Sequence, residues 1–215
     1  HYFPPVRQLY WRARKLNFNT LDGLLKSLEA APPYPFMVRK GDGVDHLTLQ
    51  ALADRPDIRA LANSPGRLRI LWDVSQIPDF RKTLTDSHVV MLARIFDSLA
   101  RFGQLDSRWV AAQLSHLNRL DGDIDTLMTR IAHIRTWTYI THKNGWTDTK
   151  QDWQELAKSI EDRLSDELHT RLTQRFVDRR ATHLSRRLKE STVLIASVRL
   201  DGTVLVEGEE VGCLD

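Results

Sequence analysis

Apolar side chains recur along this chain with a helical period over most of its length and with a strand period only near its end. Residues 85–103 carry the first strong signal. Thr85, Asp86 and Ser87 are capping residue types, and Val89, Leu92, Ile95, Phe96, Leu99 and Phe102 follow at three- and four-residue steps. Arg94, Asp97, Ser98 and Arg101 fall on the opposite face, and Gly103 stands where a C-terminal stop belongs. Asp106 or Ser107 caps a second helix with Val110, Leu114, Leu117 and Leu120 on one side. Asp121-Gly122-Asp123 then ends that helix and caps a third, which carries Ile124, Leu127, Ile131, Ile134 and Trp137. Two short connections between three such helices predict antiparallel neighbours in a bundle.

Asn144-Gly145 marks a turn, and Asp148 opens the longest periodic run: Trp153, Leu156, Ile160, Leu164, Leu168, Leu172, Phe176, Leu184 and Leu188. A step of four residues advances about 400° against a 360° turn, so the stripe slides by ~40° at each step. Such a helix either wraps across the bundle or breaks, and Ser165-Asp166 is the natural place for a new N-terminus. The tail changes period: residues 193–200, Asp201-Gly202 and residues 203–206 read as a hairpin with a type I′ turn, and Gly208 and Gly212 suggest a second turn cut short.

The first 80 residues are proline-rich and irregular. They hold amphipathic stretches at 20–30 and at 47–61, the second interrupted by Pro56, a turn at Lys40-Gly41-Asp42-Gly43, and one short strand at 35–38. Residues 67–74 fit a helix or a strand until Pro78 ends the run. The predicted fold is mainly α: an irregular α/β portion (1–80), a helical bundle (81–190) and a truncated β-hairpin tail (191–215).

Composition narrows the class without naming a function. The chain has 215 residues, 41% of them hydrophobic and 27% charged, which are ordinary globular values that exclude wholesale disorder. Its one cysteine, Cys213, forbids an internal disulfide, and no apolar run approaches the ~18 residues of a membrane span. A soluble, cytoplasmic chain without a membrane partner is expected. It starts at His1 without a basic-then-apolar leader and stops just after strand-like alternation, so a fragment of a longer protein is expected. The formal net charge of +3 permits nucleic acid without implying it. Its distribution is more telling, because Arg163, Arg171, Arg175, Arg179, Arg180, Arg186, Arg187 and Lys189 face only Asp166, Glu167 and Asp178 in one late segment.

No phosphate-binding G-x-x-x-x-G-K-[ST] loop, G-x-G-x-x-G, G-x-S-x-G or H-E-x-x-H string occurs. Asp166-Glu167-Leu168-His169 spells the D-E-x-H of helicase motors, but it lies in helical register with Leu164, Leu168 and Leu172, where coincidence is the simpler explanation. The eight histidines include no pair at i+3 or i+4, so no metal site is expected; most read as helix-surface or satisfied side chains. Arg171, Arg175 and Arg179 recur at i+4 and share a helix face, where guanidinium groups meet successive phosphates or simply face water beside Glu167 and Asp178. Residues 130–139 interleave Arg130, His133, Arg135, Trp137 and Tyr139 as a base-stacking surface does, although Ile131, Ile134 and Trp137 equally fit a core stripe. Of the six tryptophans most fall on apolar faces and are expected in the core. Trp11, among Arg7, Arg12, Arg14 and Lys15, is the exception, suited to an exposed surface or to a face against a neighbouring domain.

The strings GRLRILWDVSQIPDFR (66–81), GDIDTL (122–127), RIAHIRTW (130–137), IEDRLSDELH (160–169) and RFVDRR (175–180) together resemble the C-terminal region of bacterial relatives of the mitochondrial suppressor-of-Var RNA helicases, over residues 34–205. The resemblance implies a superfamily-two DExH motor in which two RecA-like domains hydrolyse NTP and move 3′ to 5′ along RNA. A helical region after them closes over the strand, and in mitochondria an exoribonuclease is the partner. Every ATP-binding and hydrolysis motif of that family is absent from this chain, so ATP and Mg²⁺ are expected in missing motor domains. No catalytic residue, cofactor or metal ligand carries over, and the chain is expected to be inactive alone.

The expected role is therefore a C-terminal accessory domain of an ATP-dependent RNA or DNA helicase, guiding or clamping the single strand beside a RecA-like motor. Expected contacts, chosen on charge and spacing, are Arg130, Arg135, Arg171, Arg175, Arg179 and Arg180. The alternative is a protein-interaction or dimerisation module within an RNA-degradation assembly, in which the sliding apolar stripe of the last helix meets a partner.

Overall fold

Thr20 caps the start of the first helix by the mechanism its residue type suggests: its Oγ1 accepts from the Gly23 backbone N–H at 3.0 Å, opening α1 (Leu21–Leu28). In this computed structural model, residues 9–40, 43–81, 86–190, 196–201, 203–206 and 209–213 are described. The architecture is mainly helical, and the chain divides into two compact units, His1–Leu164 and Ser165–Asp215.

The first unit begins with β1 (Leu9–Trp11), α1 and β2 (Met37–Arg39), and β1 pairs parallel to β2 with Tyr10 opposite Val38. Only the β2 region carries a strand signature in the sequence; β1 is three residues long and its partner is distant, so no local periodicity announces it. Next come α2 (Val44–Ala53) and α3 (Pro56–Leu61), divided at Pro56, which sits at the start of α3 where a missing N–H costs nothing. The ambiguous stretch after Ser64 is a helix, α4 (Pro65–Ser75), because Ser64 Oγ accepts from Arg67 N and Pro65 presets the first turn.

Three further helices follow the predicted pattern: α5 (Asp86–Phe102), α6 (Ser107–Leu117) and α7 (Ile124–His142). Asp106 caps α6 on Arg108 N at 2.9 Å, and Asp123 caps α7 on Thr126 N at 2.8 Å. Gly122 in the turn between them has φ +102°, and a Cβ there would lie 2.7 Å from Thr126 Cγ2, so only glycine fits. The next helix, α8, runs Lys150–Glu190 without a helix end at Ser165-Asp166; the first unit contains it as far as Leu164.

The core of the first unit is built from α1 to α8 on most of the apolar faces predicted; Phe102, at the end of α5, and Leu156 of α8 are corrections, since both are exposed. Leu24, Leu49, Leu52, Leu71, Leu92, Ile95, Phe96, Leu114, Leu127, Ile134, Trp137 and Ile140 are fully buried, as are Ala157 and Leu164. The pairs α1·α2, α2·α4, α4·α5 and α6·α7 pack together. Trp137 meets Trp109 edge-on at 5.3 Å between centroids, and the Arg94 guanidinium lies 4.5 Å above the Trp109 ring. Of the six tryptophans only these two are buried; Trp11, Trp72, Trp146 and Trp153 are half-buried, which corrects the expectation that most belong to the core. Asp148 ties the starts of α6 and α8, accepting from Ser107 Oγ at 2.7 Å and from Trp153 Nε1 at 3.1 Å, and these bonds hold its pKa down to about 2.

The second unit holds the rest of α8 and an antiparallel sheet of three strands, β3 (Ala196–Val198), β4 (Thr203–Val206) and β5 (Glu209–Cys213), in that order. The predicted hairpin is the β3–β4 pair, with Ser197 opposite Leu205; β5 adds a strand where only a truncated turn was expected. Gly202 and Gly208 of the expected turns lie outside the described residues, as do Thr85, Gly41, Asp42 and Arg7 and the side chains of Leu184, Arg186, Arg187, Leu188 and Lys189.

Candidate nucleic-acid interface

The six arginines expected to meet nucleic acid fall into three environments. Arg130 is an internal fastener. Its side chain is only 16% exposed, and Nη1 donates to the Arg119 carbonyl oxygen at 2.7 Å, to the Asp121 carbonyl oxygen, and stands 3.4 Å from the Asp121 carboxylate. Arg119 also reaches Asp121, at 2.8 Å, and the Arg119 bond leads in holding the Asp121 pKa below the usual carboxylate range. Arg135 bridges α7 to α8 within the first unit, with Nε on Glu161 Oε1 at 2.9 Å.

The others lie on the second unit's part of α8. Arg171 pairs with Glu167 one turn earlier at 2.7 Å, as a solvated helix face would have it. Arg175 and Arg179 are exposed, and neither has a carboxylate partner among the described residues; Asp178, the nearest acid, accepts from Gln174 at 2.8 Å. Arg180 lies 5.5 Å over the ring of Phe176, which is itself 60% exposed, and Leu172 and Val177 are exposed beside it. The apolar stripe thus changes character along the helix. Ile160 and Leu164 are buried, Leu168 is half-buried, and Leu172 and Phe176 face solvent. The Asp166-Glu167-Leu168-His169 string is helical, so it offers none of the strand geometry a motor needs.

A second concentration of charge was not visible in the sequence. A cleft of about 550 Å³ opens along one face of α7, where Thr126, Thr129, Arg130 and His133 stand at i, i+3, i+4 and i+7. Arg81 and His116 complete it from the loop after α4 and from the end of α6. The loop is held in place because Thr136 Oγ1 donates to the Pro78 carbonyl at 3.1 Å and because Asp79, with a side chain 2% exposed, accepts from Arg81 N at 3.1 Å.

His88 lies just behind, 1% exposed. Burial lowers its pKa, against the opposing pull of Asp79 and a bond with the Ile77 backbone. Burial, reinforced by the charges of Arg81, His88 and His116, pushes His133 down to about 4. Nε2 of both His88 and His133 is buried without a hydrogen-bond partner. His88 and His116, 45 and 17 positions before His133 in sequence, are therefore its electrostatic neighbours, a proximity that spacing rules for single helices cannot register. No three His, Cys, Asp or Glu side chains among the described residues are grouped to hold a metal ion, and no helix there is long and apolar enough to cross a membrane.

No protein-family model, no curated protein and no solved structure matches this chain.

Proposed function

We propose that this chain is an accessory region of an ATP-dependent RNA or DNA helicase and guides the single strand beside a RecA-like motor. ATP and Mg²⁺ belong to that motor, and an exoribonuclease is a fitting companion of the assembly. The observation that carries the reading is the exposed pair Arg175 and Arg179 on one face of α8, without a carboxylate partner among the described residues, with exposed Phe176, stacked under Arg180, to one side of them. Guanidinium groups one helical turn apart suit successive phosphates, and an exposed ring suits a base. Arg130 and Arg135 contribute less, since each is already tied to a neighbour.

The test is fluorescence anisotropy of a labelled ten-nucleotide uridine RNA at salt concentrations from 50 to 200 mM. Each phosphate contact contributes a slope of about −0.7 in log K against log salt, so two contacts give about −1.4. Undetectable binding at the lowest salt removes the reading.

Exposed Leu172, Phe176 and Val177 favour a second reading, a protein-interaction or dimerisation surface on the same helix. Light scattering that shows a stable dimer, dissociated by Phe176→Ser and indifferent to Arg175→Ala and Arg179→Ala, would select it.

A further inference from the structure

We propose that the cleft along α7 seats the 3′-terminal nucleotide of an RNA strand, its one phosphate at the Arg81–His116–His133 end and its free ribose hydroxyls at the Asp125 end. The inference rests on the nucleic-acid reading above and adds a site distinct from the α8 arginines. The cleft's volume of about 550 Å³ falls within the range of small-molecule sites, roughly 300–1,000 Å³.

Charge is sorted along its length, apart from Arg130 midway, whose Nη1 is engaged by the Arg119 and Asp121 carbonyls and the Asp121 carboxylate. Asp123 and Asp125 line the start of α7, and His133 lies more than two turns further on, facing Arg81 and His116. A ligand with an anion at one end and hydroxyl donors at the other matches that order; a ligand with phosphates at both ends does not.

The cationic end has donors to spend. Arg81 is 20% exposed at its side chain, stands 3.9 Å from Asp79 and makes one long bond, Nη2 to Ser87 Oγ at 3.4 Å. A guanidinium has five N–H groups, so the rest of its fork is available to a phosphate in bidentate fashion. His133 Nε2 is buried and unpartnered, and buried polar atoms in folded proteins ordinarily have partners. That atom has no exposed surface, so a ligand meets it only when the His133 ring turns towards the cleft, and the phosphate is held first by Arg81 and His116. At the other end a carboxylate repels a second phosphate and accepts from a ribose 2′-hydroxyl, the group that distinguishes RNA from DNA. Thr129 Oγ1 already donates to the Asp125 backbone oxygen at 2.9 Å, which keeps this turn of α7 in register with the cleft.

The experiment is an NMR titration of the full chain with uridine 5′-monophosphate, run beside uridine and inorganic phosphate. The nucleotide should shift the amides of Thr126 and Thr129 and the ring of His133 with a dissociation constant on the order of 1 mM. Both uridine and inorganic phosphate should bind at least fivefold more weakly. His116→Ala, at an exposed position where folding is not at risk, should weaken the nucleotide at least fivefold, as should Arg81→Gln. Asp125→Asn should reduce the preference for ten-nucleotide uridine RNA over its deoxy counterpart. Absence of shifts at 10-fold the expected constant, inorganic phosphate binding as tightly as the nucleotide, or indifference to His116→Ala would overturn the proposal. If the ten-nucleotide RNA still binds through Arg175 and Arg179 while the cleft stays silent, the cleft assignment fails and the proposed function stands. If the mononucleotide binds and the RNA does not, the strand reading fails with this one.

Discussion

Arg130 on α7 donates through Nη1 to the carbonyl oxygen of Arg119, 2.7 Å away across the turn that ends α6. The guanidinium thereby satisfies carbonyls of the loop between α6 and α7, Asp121 O among them, and pins that loop against α7. Arg130→Ala should therefore cost about 1–2 kcal/mol of stability, read as a lower urea midpoint with unchanged slope. Arg130→Lys should recover part of it, because an ammonium donates to one carbonyl but lacks the fork.

The same turn depends on Gly122. With φ at +102° and Thr126 Cγ2 2.7 Å from where a Cβ would sit, Gly122→Ala should destabilise the chain by about 2 kcal/mol or more. Thermal unfolding measures it. Gly66, around which no atom lies within 4 Å of an added Cβ, is the control and should tolerate alanine with little change.

Trp137 is fully buried against Trp109. Trp137→Ala should lose about 3–5 kcal/mol, and Trp137→Phe distinctly less, since most of the apolar volume is kept.

Acid should loosen the fold through its buried histidines. Burial lowers the pKa of both His88 and His133, the latter to about 4, so below the ordinary value of 6.5 the unfolded chain takes up protons that the folded chain refuses. Stability is full above pH 6.5 and falls as pH drops towards 4, with a slope of about 1.4 kcal/mol per pH unit for each proton withheld. Arg81 and His116 face His133 and sharpen the loss, while Asp79 opposes it. Denaturant unfolding between pH 7.5 and 4.5 reads the slope, and His133→Gln should flatten it.

Arg175→Ala and Arg179→Ala touch no partner among the described residues, so each should change stability by less than about 0.5 kcal/mol. On a single strand the double variant should lower the salt slope by about 1.4. A stability loss with an unaltered slope would make the pair structural.

The amphipathic order of the helices was legible in the sequence. Leu92, Ile95, Phe96 and Leu99 on one side of α5, and Asp106 and Asp123 before α6 and α7, state their roles within a few residues, because capping and periodicity are local physics. The β1–β2 pair was not legible, since Tyr10 and Val38 meet across 28 positions and a three-residue strand has no period to read. The arginines were found by charge and spacing, yet spacing could not separate Arg175 from Arg130.

By itself the sequence determined the mainly helical class, the positions of the turns around Gly103, Gly122 and Gly145, and the apolar faces that make a core. Only tertiary structure decided which cations are engaged and which remain exposed, and that Arg81, His116 and His133 border one cleft. The reason is range: helix propensity and caps act over one or two turns, whereas the field and burial at an ionisable group depend on every element packed against it, wherever in the chain that element lies.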